Sequence, residues 1–292
     1  MLADAIRSET YRFARNRMAV VWSILFVPAL FLAIGTAVQF FTKARMAEMA
    51  ANLPPELTAE GGPLAASGPI DLGQSLLSQA SDFANPIVML FVLIGAAIIY
   101  AGDYRWETWR LTTARNSRIN LVLGKVVLVF GVVLAALVTW LAFGLIGELI
   151  KAAIFERPLT FTFDGERAGQ LASLVAVTVT RVMQFSMIGL LAAIVTRSLL
   201  ATLFVPMVVA IGQFFLMQSL PLLGWNVGDL QAQLLIPGLA HDTLKLLAQG
   251  GPQAAGAPDG VAGKAMLSLA LWTIAPLGAA LAWFSRQDLS KE

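Results

Sequence analysis

Apolar residues along this chain come in long unbroken runs, without the short polar–apolar alternation of a soluble fold. A helix rises about 1.5 Å per residue, so about 18 to 20 apolar residues cross a hydrocarbon core about 30 Å thick. Six segments reach or approach that length, at 18–41, 83–102, 121–150, 168–196, 199–223 and 265–285. Three charges fall within them. Lys125 and Glu148 sit near opposite ends of the third, where long side chains reach an interface, and Arg181 lies at the middle of the fourth. The pattern predicts an all-α integral membrane protein of six transmembrane helices, forming a single domain over 1–292.

The polar connections add detail. Residues 1–17 predict an interfacial helix: Leu2, Ile6 and Phe13 fall near one face and Arg7, Arg12 and Arg15 lie elsewhere, as on a helix resting on an anionic leaflet. The same arginines read equally as a basic topology signal, and the two readings are compatible. The apolar run that follows exceeds the roughly 7 to 15 residues of a signal-peptide core, so an uncleaved span is expected. Arginines and lysines concentrate in the short connections on the side of the N-terminus, at Arg7, Arg12, Arg15, Arg17, Arg105, Arg110, Arg115, Arg118, Lys125, Arg197, Arg286 and Lys291. Both termini are therefore expected in the cytoplasm, with the chain multi-pass in the plasma (inner) membrane. The long opposite segments, 42–82 and 224–264, are rich in Pro, Gly, Ala and Ser. Within the second, DLQAQLLIPGLAHDTLKLLAQ has helical periodicity broken at Pro237, which predicts two short helices on or dipping into the outer leaflet.

Composition removes several chemistries. The chain is 58% hydrophobic and 13% charged with a mean hydropathy of +0.74, against about 25% charged residues in soluble domains. No cysteine is present and His241 is the one histidine, so disulfides, thiolate chemistry and histidine-cluster metal sites are excluded and no metal is expected. PDGVAGKA at 258–265 resembles the end of a phosphate-binding loop, but Pro258 replaces the first glycine and Ala265 the magnesium-binding hydroxyl. No nucleotide site of this chain's own is expected. There is no G-x-S-x-G elbow, and Asp242 beside His241 reads as a polar helix end, leaving no catalytic residue to assign. Membrane lipids are the expected surroundings, and no nucleic-acid partner is expected.

One connection is richer in chemistry than its neighbours. After the second span, GDYRWETWRLTTARNSRINLVLGKVV predicts a short stiff helix from about Asp103 to Thr113, with Tyr104, Trp106 and Trp109 at the membrane boundary. Arg105, Glu107, Arg110, Arg115 and Arg118 would project toward the cytosol. A positive-inside loop anchored by aromatics accounts for the arginines and tryptophans. It does not account for Asp103, Thr108, Leu111, Ser117 with Arg118, and Gly124 with Lys125 occurring together.

Those residues resemble the cytoplasmic segment after the second helix in permease subunits of ABC-2 type transporters. The layout agrees across nearly the whole chain: six spans, both ends inside, an N-terminal amphipathic helix, TRS at 196–198 between spans four and five, an outer helical segment before span six, and a short SRQDL tail. The motif itself covers only about 25 residues. Glu107 and Asn116 stand where relatives often carry Gly and Pro, so the coupling helix is expected to run further than usual. The resemblance implies the transmembrane subunit of an ATP-driven exporter, pairing with a second copy or a paralogue. Separate ABC ATPase subunits would supply the ATP and magnesium site. Residues 103–118 would be the coupling segment, with Asp103, Arg105, Trp106, Glu107, Thr108, Trp109, Arg110, Arg115 and Arg118 as its contact candidates.

The alternatives are a secondary transporter or a membrane-embedded enzyme acting without an ATPase. The first usually shows internal repeats and several intramembrane ionisable groups, the second a cluster of acids, His or Cys at one depth; neither feature is found. An intramembrane arginine normally faces a bundle interior or a wet cavity. Counted from the cytoplasmic ends, Arg181, Gln213 and Thr273 lie about 22, 21 and 18 Å deep. Thr178 and Gln184 flank Arg181 on its own face. These five form a candidate polar layer, lining a translocation pathway or satisfying the arginine structurally. Glu148 lies too near the outer end to reach Arg181.

Overall fold

The computed structural model describes residues 1–52, 68–105, 109, 113 and 116–287, leaving aside the side chains of 50–52 and 105. Helix α1 (Leu2–Arg15) leads into α2 (Arg17–Val20), a π-helical turn (Val21–Leu25) and α3 (Phe26–Asn52), which together make the first long rod. Next come a two-residue strand β1 (Ile70–Asp71), α4 (Leu72–Asp82) and α5 (Pro86–Arg105). Helix α6 (Arg118–Phe155) is followed by β2 (Leu159–Thr160), α7 (Gly165–Thr196) and α8 (Leu199–Gln218). The chain then forms α9 (Leu230–Leu235), α10 (Pro237–Gln249), α11 (Pro252–Ala255) and α12 (Val261–Arg286).

Among the described residues, six helices are long and apolar enough to cross a membrane: the first rod, α5, α6, α7, α8 and α12. The chain is an all-α multi-pass membrane protein, with one small parallel pairing of Ile70 with Leu159 and Asp71 with Thr160. Local chemistry sets the helix starts. Asn16, Asp71, Ser117, Asp164 and Ser198 each accept a backbone N–H of the following first turn, satisfying donors that a helix cannot pair internally. At the other ends, α6 and α7 stop at Glu156 and Arg197 in left-handed conformations. Helix α8 ends at Gln218, short of the expected 223, because Pro221 has no N–H to continue the ladder. The first and third rods instead outrun their apolar segments. Lys43 on α3 donates to the Ile154 carbonyl at 2.5 Å, tying the two far ends together.

Helix α7 is the bundle's centre. It packs against α5, α8, α10 and α12, and its side chains from Phe185 to Leu190 are all buried. The first rod, α8 and α12 keep most of their apolar surface outward, the arrangement expected where lipid or a partner replaces water. At the end away from the termini, α4 lies between α6 and α7. Trp140 of α6 donates its indole N–H to the Gln79 carbonyl of α4 at 2.9 Å. Helices α9 and α10 meet at Pro237, as the periodicity predicts, but α10 is wedged into the bundle. It buries Leu239, Ala240, His241 and Thr243 against its neighbours.

The N-terminal helix also differs from its sequence expectation. Its buried face is Ala5, Glu9 and Phe13; Phe13 faces inward, whereas Leu2 is exposed and Ile6 only half-buried. The small Gly124 explains the change. A Cβ there would lie 2.9 Å from Ala5 Cβ, so α1 sits directly on α6 at this point.

Candidate functional site

Two sites emerge, one at each end of the bundle. At the end carrying the termini, four ionisable groups converge from three helices. Lys125 of α6 lies 2.6 Å from Asp103 of α5 and 3.0 Å from Glu9 of α1. Its ammonium also donates to the Ile99 carbonyl at 2.8 Å. Arg12 of α1 reaches Asp103 at 2.7 Å and Glu9 at 3.3 Å. Among the described residues two cations and two carboxylates balance here, which favours burial: the Asp103, Lys125 and Glu9 side chains are 1%, 2% and 8% exposed.

This corrects two expectations. Lys125 does not extend to an interface; it turns inward, because Asp103 and Glu9 offer it charge partners inside the bundle. Asp103, expected to open the coupling helix as one of its contact candidates, is buried in the last turn of α5. The helix of the second span simply continues through Arg105.

Trp109 is also buried rather than interfacial. It is helical and 4% exposed, with its ring centroid 4.5 Å from Phe284 of α12 and 5.5 Å from Tyr104. The Lys125 ammonium lies 5.3 Å from the same ring. Arg118, just inside α6, donates to the carbonyls of Phe284, Ser285 and Gln287 at 3.1, 3.1 and 2.7 Å. It thereby satisfies the open carbonyls where α12 ends. Trp106, Glu107, Thr108, Arg110 and Arg115 lie outside the described residues, as does the side chain of Arg105.

The second site surrounds Arg181, sixteen residues into α7 and so about 24 Å from that helix's far end. Its guanidinium donates to the Gln184 side-chain oxygen at 2.7 Å and to that of Gln213 on α8 at 2.8 Å. It also stacks 4.5 Å from the Phe185 ring. Depth counting thus correctly pairs Arg181 with Gln213. Thr178 and Thr273 do not join: each donates to its own helix, at Leu174 and Leu269 respectively, which satisfies a short hydroxyl without any neighbour. Glu148 pairs with Lys151 at 3.2 Å, away from Arg181.

What the sequence does not reveal is that α10 reaches this depth. A Cβ on Gly238, in the first turn of α10, would lie 3.3 Å from the guanidinium and 3.5 Å from Gln213 Oε1. Gly238, His241, Asp242 and Lys245 of α10, with Arg181, Gln213 and the start of α5, line a cavity of about 340 Å³. His241 Nδ1 lies 3.0 Å from Asp242, and among the described residues no serine hydroxyl bonds to the ring.

At the rim of the same end, Asp71 holds β2 and α7 together. Its carboxylate accepts from the Thr162 hydroxyl and from Arg167, the latter at 2.6 Å. These contacts, Thr162 first and Arg167 second, hold the Asp71 carboxyl well below the usual carboxylate range.

Compared with known proteins, the chain matches no family model, no curated protein and no solved structure.

Proposed function

We propose that this chain is the transmembrane subunit of an ATP-driven exporter of the ABC-2 type. In this reading two such subunits, identical or paralogous, form the pathway in the plasma membrane, with both termini in the cytoplasm. Separate ATPase subunits bind ATP and magnesium and dock on residues 103–118.

The observation that supports it most is the way this connection is rooted. At one root Asp103 ties α5 to α6 and α1. At the other, Arg118 ties the start of α6 to the end of α12, and Trp109 between them rests on Phe284. A displacement applied to the connection would therefore be shared by four helices, because buried, hydrogen-bonded contacts move as units. A connection serving only to reverse the chain needs no such base. Burial of Asp103 and Trp109 makes them positioning residues, and Arg118 caps α12, leaving Arg105, Trp106, Glu107, Thr108, Arg110 and Arg115 as the candidate ATPase contacts.

The test is co-expression with a candidate ABC ATPase, sought first in the reading frames that neighbour this gene. Arg110→Glu should leave membrane insertion intact and lower both ATPase co-purification and transport-linked hydrolysis, since a reversed charge at an interface costs several kcal/mol. An unchanged complex with unchanged coupling would remove Arg110 from the interface; failure of the unmodified chain to form any complex would remove the reading.

A further inference from the structure

Arg181 and Lys245 balance Asp82 and Asp242 around the cavity, but its buried base at Arg181 holds a local surplus of hydrogen-bond donors and positive charge. Among the described residues the guanidinium forms no ion pair; its close partners are two neutral amides and an aromatic ring. Both amide oxygens are taken by the arginine, and the Gln184 and Gln213 Nε2 groups are buried without partners. Helix α10 directs its N-terminus at the same point, with Pro237 first, Gly238 next and no side-chain cap. A helix N-terminus presents unpaired N–H groups and the positive end of its dipole. A buried cation beside that end is unfavourable unless an anion lies between or against them.

Carboxylates do occur at the mouth, and they do not fill this role. Asp242 and Asp82 have side chains 56% and 65% exposed, and Asp82 faces Lys245 at 3.7 Å. Water screens them strongly, whereas Arg181 is 8% exposed at the base. Met89, Ala210, Phe214 and Met217 give the wall an apolar part, while Ser81, Asn85, His241 and Lys245 add polar groups to it. Phe214 is also exposed on the outward face of α8, so the cavity borders the surface where lipid would lie.

We infer that this cavity binds an amphipathic anion, its phosphate or carboxylate group against Arg181 and the α10 N-terminus and its apolar part along Met89, Phe214 and Met217. Gly238 keeps the approach to the guanidinium open, and Gln213 holds the guanidinium in place. The anionic group could be carried by a membrane lipid or by a water-borne amphiphile, and the chemistry at the base is the same for both.

Binding is measured on the full-length chain alone, without ATPase or ATP, so the result is independent of the exporter proposal. The protein in neutral-detergent micelles is titrated with phosphatidylglycerol, dodecyl phosphate and, as neutral probe, dodecanol, and bound copies are counted by native mass spectrometry. The expected result is retention of at least one anionic probe over dodecanol, weakened at least tenfold in Arg181→Gln and in Ala210→Phe. The second variant keeps the charge and fills the cavity, and it decides alone if Arg181→Gln fails to fold. Arg7→Gln, at the opposite end, should bind as the unmodified chain does. Phosphatidylglycerol alone would identify a lipid ligand, dodecyl phosphate alone a water-borne one, and both the shared chemistry. Equal binding of anionic and neutral probes, or anion binding unchanged by Ala210→Phe, would overturn the inference.

Discussion

Replacing Lys125 by methionine removes one charge from a neutral, buried set while preserving its volume and its aliphatic stem. Asp103 and Glu9, 1% and 8% exposed at their side chains, then keep Arg12 as their cation among the groups of this cluster. Breaking a buried pair by deleting one partner costs about 3–5 kcal/mol, since an uncompensated charge stays desolvated. That is about two to three and a half decades in the folded-to-unfolded ratio, at about 1.4 kcal/mol per decade. Arg12→Gln should cost about 1 kcal/mol or less, because the Arg12 side chain is 42% exposed and water screens it. The double variant Asp103→Asn/Lys125→Met restores neutrality, so its cost should fall at least about 2 kcal/mol short of the summed single changes, a coupling within the range of contacting residues. Denaturant unfolding in mixed micelles, followed by tryptophan fluorescence, measures the unmodified chain, Lys125→Met, Asp103→Asn, their double variant and Arg12→Gln. A Lys125→Met cost below about 0.5 kcal/mol, well under the buried-pair range, or strict additivity in the double variant, would refute the role given to this cluster.

Asp71 should make the far end acid-sensitive. Its carboxyl is held below its unfolded value, so the stabilisation is complete above that value, about 3.9, and is lost as pH falls through the lower folded value. Asp71→Asn should therefore lower stability at neutral pH and flatten the decline below about pH 4; an unchanged acid limb would contradict the assignment. Gly124→Val should lift α1 from α6, because even a Cβ there would come 2.9 Å from Ala5 Cβ. In a chain without cysteines, a single cysteine introduced at position 13 should then react faster with a water-soluble maleimide, and equal rates would show that α1 does not depend on this contact.

The spans were legible because their length carries the signal: about 20 apolar residues need no knowledge of neighbours. Helix α4 was legible too and was missed. Leu72, Leu76, Leu77, Ala80 and Phe83 recur at helical spacing, yet the surrounding Pro- and Gly-rich segment masked them. Lys125 was misread because reaching an interface and finding a buried partner are both open to a long side chain, and only tertiary structure decides. Depth placed Arg181 and Gln213 in one layer, and the contact then needs α7 and α8 to be adjacent, as they are. Thr273 did not join, since depth says nothing about rotation around a helix axis. Gly238 carried no readable signal: that α10 enters the bundle to mid-depth depends on how α7, α8 and α12 leave room for it.

The most direct test of the central claim is transport energetics in a defined membrane. The chain, co-purified with a candidate ABC ATPase, is reconstituted into proteoliposomes, and ATP hydrolysis is compared with and without the chain, and with Arg110→Glu in its place. The account predicts a stable complex whose hydrolysis depends on this chain and is uncoupled by the charge reversal. Hydrolysis indifferent to the chain, or solute movement by the chain alone driven by an ion gradient, would contradict it.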